Sequence, residues 1–237
     1  MAADPRIAHG QVAVERIDEG LRSYMLSVYN YMFLGLGLTG AIAFVTAQSP
    51  EAINLIHLTP LKWVLFAGVI GIAWFGAPRI PTMSVSGAQL TFWAFASLFG
   101  LMLSYVFVVY TGADIGRAFF MTAAAFGGMS LYGYTTKRDL SGIGAFLMVG
   151  LITAFISSLV NYFIFGSTLF EIVLSVIVIG IALGLTAYDT QRIKEMYYEL
   201  DGSDVMAKKA VAGALHLYLN FILIFTNLLQ VMGFMQE

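Results

Sequence analysis

The 237-residue chain contains no cysteine. Disulfides, thiolate metal sites and thiol nucleophiles are therefore excluded, and cysteine usage says nothing about redox compartment. Charge is scarce too: Asp, Glu, Lys and Arg supply 11% of the residues, against roughly 25% in an ordinary soluble domain. With a formal net charge of −2 and no basic patch, nucleic acid is excluded as a partner. The three histidines, His9, His57 and His216, are scattered, and only His216 falls in an apolar run, so no HExxH-type zinc helix is present. No Ser and His motif for hydrolysis appears, and residues 210 to 232 lack the lysine a retinal Schiff base would need. The reading is of a non-enzyme without catalytic residues and without a bound cofactor.

Apolar residues are abundant, at 59% with a mean hydropathy of +0.82. Seven runs, residues 23 to 47, 61 to 78, 86 to 110, 115 to 135, 143 to 165, 169 to 188 and 210 to 232, approach or reach the roughly 17 to 25 residues a helix needs to cross a bilayer. They lack the alternation of a barrel strand. The expected fold is all-α and polytopic, an integral membrane protein with the lipid bilayer as its main partner. Residues 1 to 22, "MAADPRIAHGQVAVERIDEGLR", mix charges and match a cleavable signal poorly. They read as a cytoplasmic tail before one seven-helix domain, residues 23 to 237.

The second run is short. Lys62 and Arg79 bracket sixteen residues, or about 24 Å of helix, so snorkelling ends or local thinning is expected there. The basic residues support keeping it. Arg6, Arg16, Arg22, Arg79, Lys137, Arg138, Arg192, Lys194, Lys208 and Lys209 fall on one side of the seven-span arrangement, and only Lys62 and Arg117 on the other. The positive-inside bias then places the N-terminus in the cytoplasm and the C-terminus outside. Glycines at small-residue spacings, Gly180 with Gly184 and Gly35, Gly37 and Gly40, point to close helix packing.

In "GLTAYDTQRIK", residues 184 to 194, a long apolar run meets a carboxylate, Asp189. If the last two spans form a hairpin turning near residues 204 and 205, position 189 lies level with Asn220. On the sixth span Ser175, Ala182, Thr186 and Asp189 share one helical face, and on the seventh His216, Asn220, Leu223 and Asn227 do the same. Two polar stripes of this kind predict a hydrated seam between the helices, because polar groups facing lipid cost several kcal/mol. Spacing alone leaves two positions open for Asp189: interfacial and paired with Arg192, or buried beside Asn220. A carboxylic acid withdrawn from water favours its neutral form and a nearby arginine its charged form, so a buried acid switches with pH. Arg79 is the candidate basic partner, or else a snorkelling anchor. Glu171 and Asp114 are candidates for an external mouth, or else solvated helix ends.

"YTTKRDLSGIGAFL" (134 to 147), "GLTAYDTQRIK" (184 to 194) and "LHLYLNFILIFTNLLQVMG" (215 to 233) together resemble the landmarks of the Bax-inhibitor motif family, specifically its bacterial members. The resemblance covers nearly the whole chain after the tail. It implies seven helices around a central last helix, and a pH-sensitive calcium leak in which Asp189 matches one aspartate of a proton-sharing pair. Calcium is then the permeant ion, with Asp189 a weak calcium ligand, and an arginine at the position of Arg79 latches the aspartate in the closed form. Where many members read "LYLDFI", this chain reads "LYLNFI", so Asn220 replaces the second aspartate. Some bacterial relatives are associated with a membrane protease. The resemblance therefore also implies a second role, as a non-conducting regulator that binds such a protease or another membrane protein of the bacterial inner membrane.

Overall fold

The computed structural model describes the backbone of residues 5–235 and the side chains of residues 19–235. The flanking residues, and the side chains of Arg6, His9 and Arg16, lie outside the described residues. Where apolar side chains exclude water, backbone N–H and C=O groups must pair within the segment, and the chain meets this with helices. In order these are α1 (Pro5–Ala47), α2 (Pro50–His57), α3 (Leu61–Gly71), α4 (Val85–Leu103), α5 (Val106–Val109), α6 (Gly112–Thr135), α7 (Ser141–Val160), α8 (Thr168–Glu195) and α9 (Ser203–Phe234). Ser49, Ser84, Thr111 and Ser167 start α2, α4, α6 and α8, each hydroxyl oxygen accepting a backbone N–H of the first turn.

Among the described residues, six segments are long and apolar enough to cross a membrane: Glu19–Ala47, Leu61–Thr82, Val85–Val109, Ser141–Phe165, Thr168–Glu195 and Ser203–Phe234. The sequence count of seven is not reproduced in full. The remaining long helix, α6, has the length but is diluted by Gly, Ser and Thr and carries Asp114 and Arg117. From Pro5 onward the expected tail is continuous with the first span as one helix. The second span is longer than expected: α3 continues through a π turn (Ile72–Gly76) and a 3-10 turn (Ala77–Thr82). Pro78 and Pro81 cannot sustain α-helical hydrogen bonding, but the tighter coil does not end the run at Arg79. The 22 residues have the length to cross a hydrocarbon core.

Helix α9 sits among α1, α4, α6, α8 and the 3-10 turn. Tyr218, fully buried, anchors it. Its hydroxyl meets Thr39 Oγ1 at 2.7 Å, and Thr39 donates onward to the Ala96 carbonyl at 2.8 Å. The rings of Phe92, Phe95 and Phe99 surround Tyr218 at 5.9 to 6.1 Å between centroids. Helix α8 is gripped from two sides. A Cβ at Gly133 of α6 would overlap the Ala187 carbonyl, and one at Gly144 of α7 would overlap the Tyr188 ring. These two close approaches flank the residues just before Asp189.

At the other end, α2 is clipped to the break between α4 and α5. His57 Nε2–H donates to Ser104 Oγ at 3.0 Å, and that hydroxyl donates to the Leu101 carbonyl at 2.6 Å. Burial holds the His57 imidazole below its ordinary range; the Leu101 carbonyl works against this and the Lys62 charge adds to it.

Two outcomes are expected. Gly133→Val should lower the thermal midpoint of the purified protein, by about 1–3 kcal/mol of overpacking; an unchanged midpoint would mean α6 and α8 separate without cost. Because the folded state holds His57 neutral, its contribution is present above the unfolded value of about 6.5 and is lost as pH falls below it. A thermal midpoint followed from pH 7.5 to 5 should therefore fall less steeply in His57→Gln than in the parent.

Candidate functional site

The position of Asp189 depends on where α8 ends. The helix runs through "DTQRIK" to Glu195, so the carboxylate projects from within it and not from its mouth. Asp189 and Asn220 are each only 4% exposed. Asn220 Nδ2 donates to Asp189 Oδ2 at 2.7 Å, joining α8 to α9. The interfacial alternative is not what the fold adopts. Arg192 is exposed and forms no ion pair with Asp189; the ion pairs among the described residues are Arg117 with Asp114 and Lys209 with Asp201.

Arg79 is not brought to Asp189. It is exposed on the 3-10 turn and forms no ion pair among the described residues. That turn is instead tied to α9 through Lys208 Nζ, which donates to the Pro81 carbonyl at 3.1 Å. The expected seam is also interrupted. Ser175, Ala182, Thr186 and Asp189 are all buried as their spacing predicts, but Thr186 Oγ1 donates to its own helix at Ala182 O, 2.7 Å away. On α9, His216 is exposed and the half-buried Asn227 spends its amide on the Leu223 carbonyl at 2.8 Å. Two polar joints therefore connect α8 and α9, Asp189 with Asn220 and Ser175 Oγ donating to Gln230 Oε1 at 2.8 Å. They lie about 21 Å apart along α8, with buried Val178, Ile181 and Leu185 between them.

Beyond the second joint, Asp114 and Glu171 line one cavity of about 380 Å³ with Tyr110, Thr111 and Gln230. Glu171 is exposed; Asp114 is buried and accepts from Thr111 Oγ1 at 2.6 Å. The two outer candidates thus share a site, at the end of the bundle opposite Asp189.

Several polar residues of this region escaped the sequence reading. Thr190 Oγ1 donates to the Thr186 carbonyl at 2.8 Å and contacts Ser130 Oγ at 3.1 Å, and Ser130 bonds the Tyr29 hydroxyl, linking α8 through α6 to α1. Gln191 holds the connection before α7, accepting from Leu140 N at 2.9 Å and donating to Arg138 O at 2.8 Å. Lys194 Nζ donates to the Tyr134 carbonyl at 2.8 Å. These contacts explain why "YTTKRDL" and "DTQRIK" occur in one chain: each supplies the partners of the other. Thr190 was within reach, one turn after Thr186. Gln230 was too, one turn from position 234, which hairpin arithmetic sets level with Ser175.

The joint at Asp189 pairs one carboxyl group with one neutral amide. It does not fit a resident calcium ion: one carboxylate faces an amide nitrogen, a donor, whereas calcium takes six to eight oxygens. Among the described residues no group of three or more His, Asp or Glu could hold a metal.

A model of the family described as inhibitor of apoptosis-promoting Bax1 matches residues 21–237. The chain belongs to the Bax inhibitor family. Relatives include RP147 of Rickettsia prowazekii, 43% identical over 91% of both chains, and the inner membrane protein YbhL of Escherichia coli K12, 40% identical over 90% of this chain and 92% of YbhL. A Caulobacter vibrioides protein is 42% identical over 92% of this chain and 90% of its own length. The Bax inhibitor match spans every membrane-capable segment except the first two residues of Glu19–Ala47.

A double-mutant cycle tests the joint. Asp189→Ala and Asn220→Ala should each destabilise the folded protein, and the pair together by less than their sum, with a coupling of about 0.5–3 kcal/mol. Additive losses in chemical unfolding would show that the two side chains do not interact.

Proposed function

We propose that this protein is a passive, proton-sensitive cation leak of the bacterial inner membrane, with calcium as the permeant ion. Asp189 is the sensor and Asn220 its partner. The supporting observation is the buried hydrogen bond between Asp189 and Asn220, which crosses from α8 to the central helix α9. Placement in the inner membrane follows the relative YbhL. Counting α6 as a seventh crossing puts the N-terminus in the cytoplasm and the C-terminus outside, the arrangement that sets ten of the twelve basic residues on the cytoplasmic side.

An ionised carboxylate shut away from water is costly unless it is paired and hydrogen-bonded. A single amide N–H supplies part of that, so the charge on Asp189 and the closure of α8 against α9 depend on each other. Calcium would enter from the cavity holding Asp114 and Glu171, and the buried Val178, Ile181 and Leu185 form the apolar stretch that must part for it to pass. With Asn220 in place of a second acid, the repulsion that couples two carboxylates is missing. The response to pH should be correspondingly shallow.

The same replacement supports a second reading, a non-conducting membrane protein that modulates a membrane protease. Purified protein in calcium-loaded liposomes separates the two. The leak predicts a calcium flux that varies between about pH 5 and 8, flattens in Asp189→Asn and steepens in Asn220→Asp. Folded protein giving no flux at any pH in that range would leave the regulatory reading.

A further inference from the structure

Helices α1 and α6 diverge around α9. The main neighbours of α1 are α4 and α9, and those of α6 are α8 and α9. A slot of about 370 Å³ opens between them, bounded by Arg22 and Tyr134 at one end and by Phe33 and Ala123 at the other. The register is antiparallel, and the hydrogen bond from Tyr29 to Ser130 bridges the slot partway along. Phe126 and Phe221 line it, their rings 5.6 Å apart. Small side chains on α6 make the room: a Cβ at Gly127 would meet nothing within 4 Å.

We infer that this slot is a binding site for one anionic phospholipid of the cytoplasmic leaflet, its acyl chain lodged between α1 and α6 and its phosphate on Arg22. Length is the first argument. From Arg22 to Phe33 on α1, and from Tyr134 to Ala123 on α6, the slot measures about 16 Å at 1.5 Å per residue, which matches half of a hydrocarbon core of about 30 Å. A chain entering at the headgroup level therefore fills it and stops at the bilayer centre.

Charge is the second. Arg22 is exposed at the end where the basic residues gather and forms no ion pair among the described residues. Lys194 stands behind Tyr134, its Nζ 4.9 Å from the ring centroid. Basic pockets between transmembrane helices on the cytoplasmic side are the places where anionic headgroups dwell, and guanidinium binds phosphate in a two-pronged geometry. Lipid touches every outer face of such a bundle, but here a concave slot, one leaflet deep, ends on a cation. Phe221 directly follows Asn220, so the lodged chain rests on the helix that carries the Asp189 partner.

Native mass spectrometry of the full chain, released from bilayers of phosphatidylglycerol and phosphatidylcholine in equal amounts, tests the site. One phosphatidylglycerol should be retained in preference to phosphatidylcholine. Gly127→Leu, which fills the slot, should weaken that retention about tenfold, while Arg22→Gln should keep a lipid but lose the headgroup preference. Undiminished retention in Gly127→Leu overturns the site, and an unchanged preference in Arg22→Gln overturns the phosphate assignment. A phosphatidylglycerol with a photoreactive acyl chain, applied to the unmodified protein, should label residues 22–33 and 123–134. Labelling confined to other segments would overturn the inference without reliance on any variant.

Discussion

The hydrogen bond between Asp189 and Asn220 is a consequence of solvent. In a bilayer core no water is at hand to satisfy a polar group, so a carboxylate on a membrane helix must find its partner within the protein. Its nearest partner stands on the neighbouring antiparallel helix, and the contact holds α8 and α9 in register. The surrounding polar contacts obey the same constraint. Thr186, Thr190 and Asn227 turn back onto their own helices, while Ser175 and Gln230 pair across the interface.

Close packing makes that register hard to change. Gly133 and Gly144 admit the backbone and ring of the residues just before Asp189, and Tyr218 locks α9 into an aromatic cage shared with α1 and α4. The central helix is thus tied on one side by hydroxyl and aromatic contacts and on the other by the two joints to α8, Asn220 with Asp189 and Gln230 with Ser175. Of the two sides, only the second contains an acid. Under the proposed leak, a change of protonation would act on α8 against α9 and leave the cage of Tyr218 alone.

The two ends of the bundle differ in chemistry. One gathers arginines and lysines, and the lysine ammonium groups fasten connections, Lys208 to Pro81, Lys194 to Tyr134 and Lys209 to Met196. The other holds the acidic cavity of Asp114 and Glu171 and the neutral clip of His57 on Ser104. Between them, the stretch of the α8 and α9 interface that separates the two joints is lined by buried Val178, Ile181 and Leu185. Under the proposed leak, an ion crossing there would meet acid first, then hydrocarbon, then the buried carboxylate.

Hydropathy and periodicity made the helices legible, because the length of an apolar run and the spacing of its polar residues are local properties. They also made the pairing of Asp189 with Asn220 legible, since two consecutive antiparallel helices are related by counting from their turn. Local pattern could not tell that the second span coils on past Arg79 through its prolines, leaving that arginine exposed and away from Asp189. Nor could it tell that His216 faces outward, or that Tyr29, Ser130 and Thr190 meet across three helices. Those outcomes depend on how non-consecutive helices rotate and approach, which is set by many small packing contacts at once. No single stretch of residues carries that information.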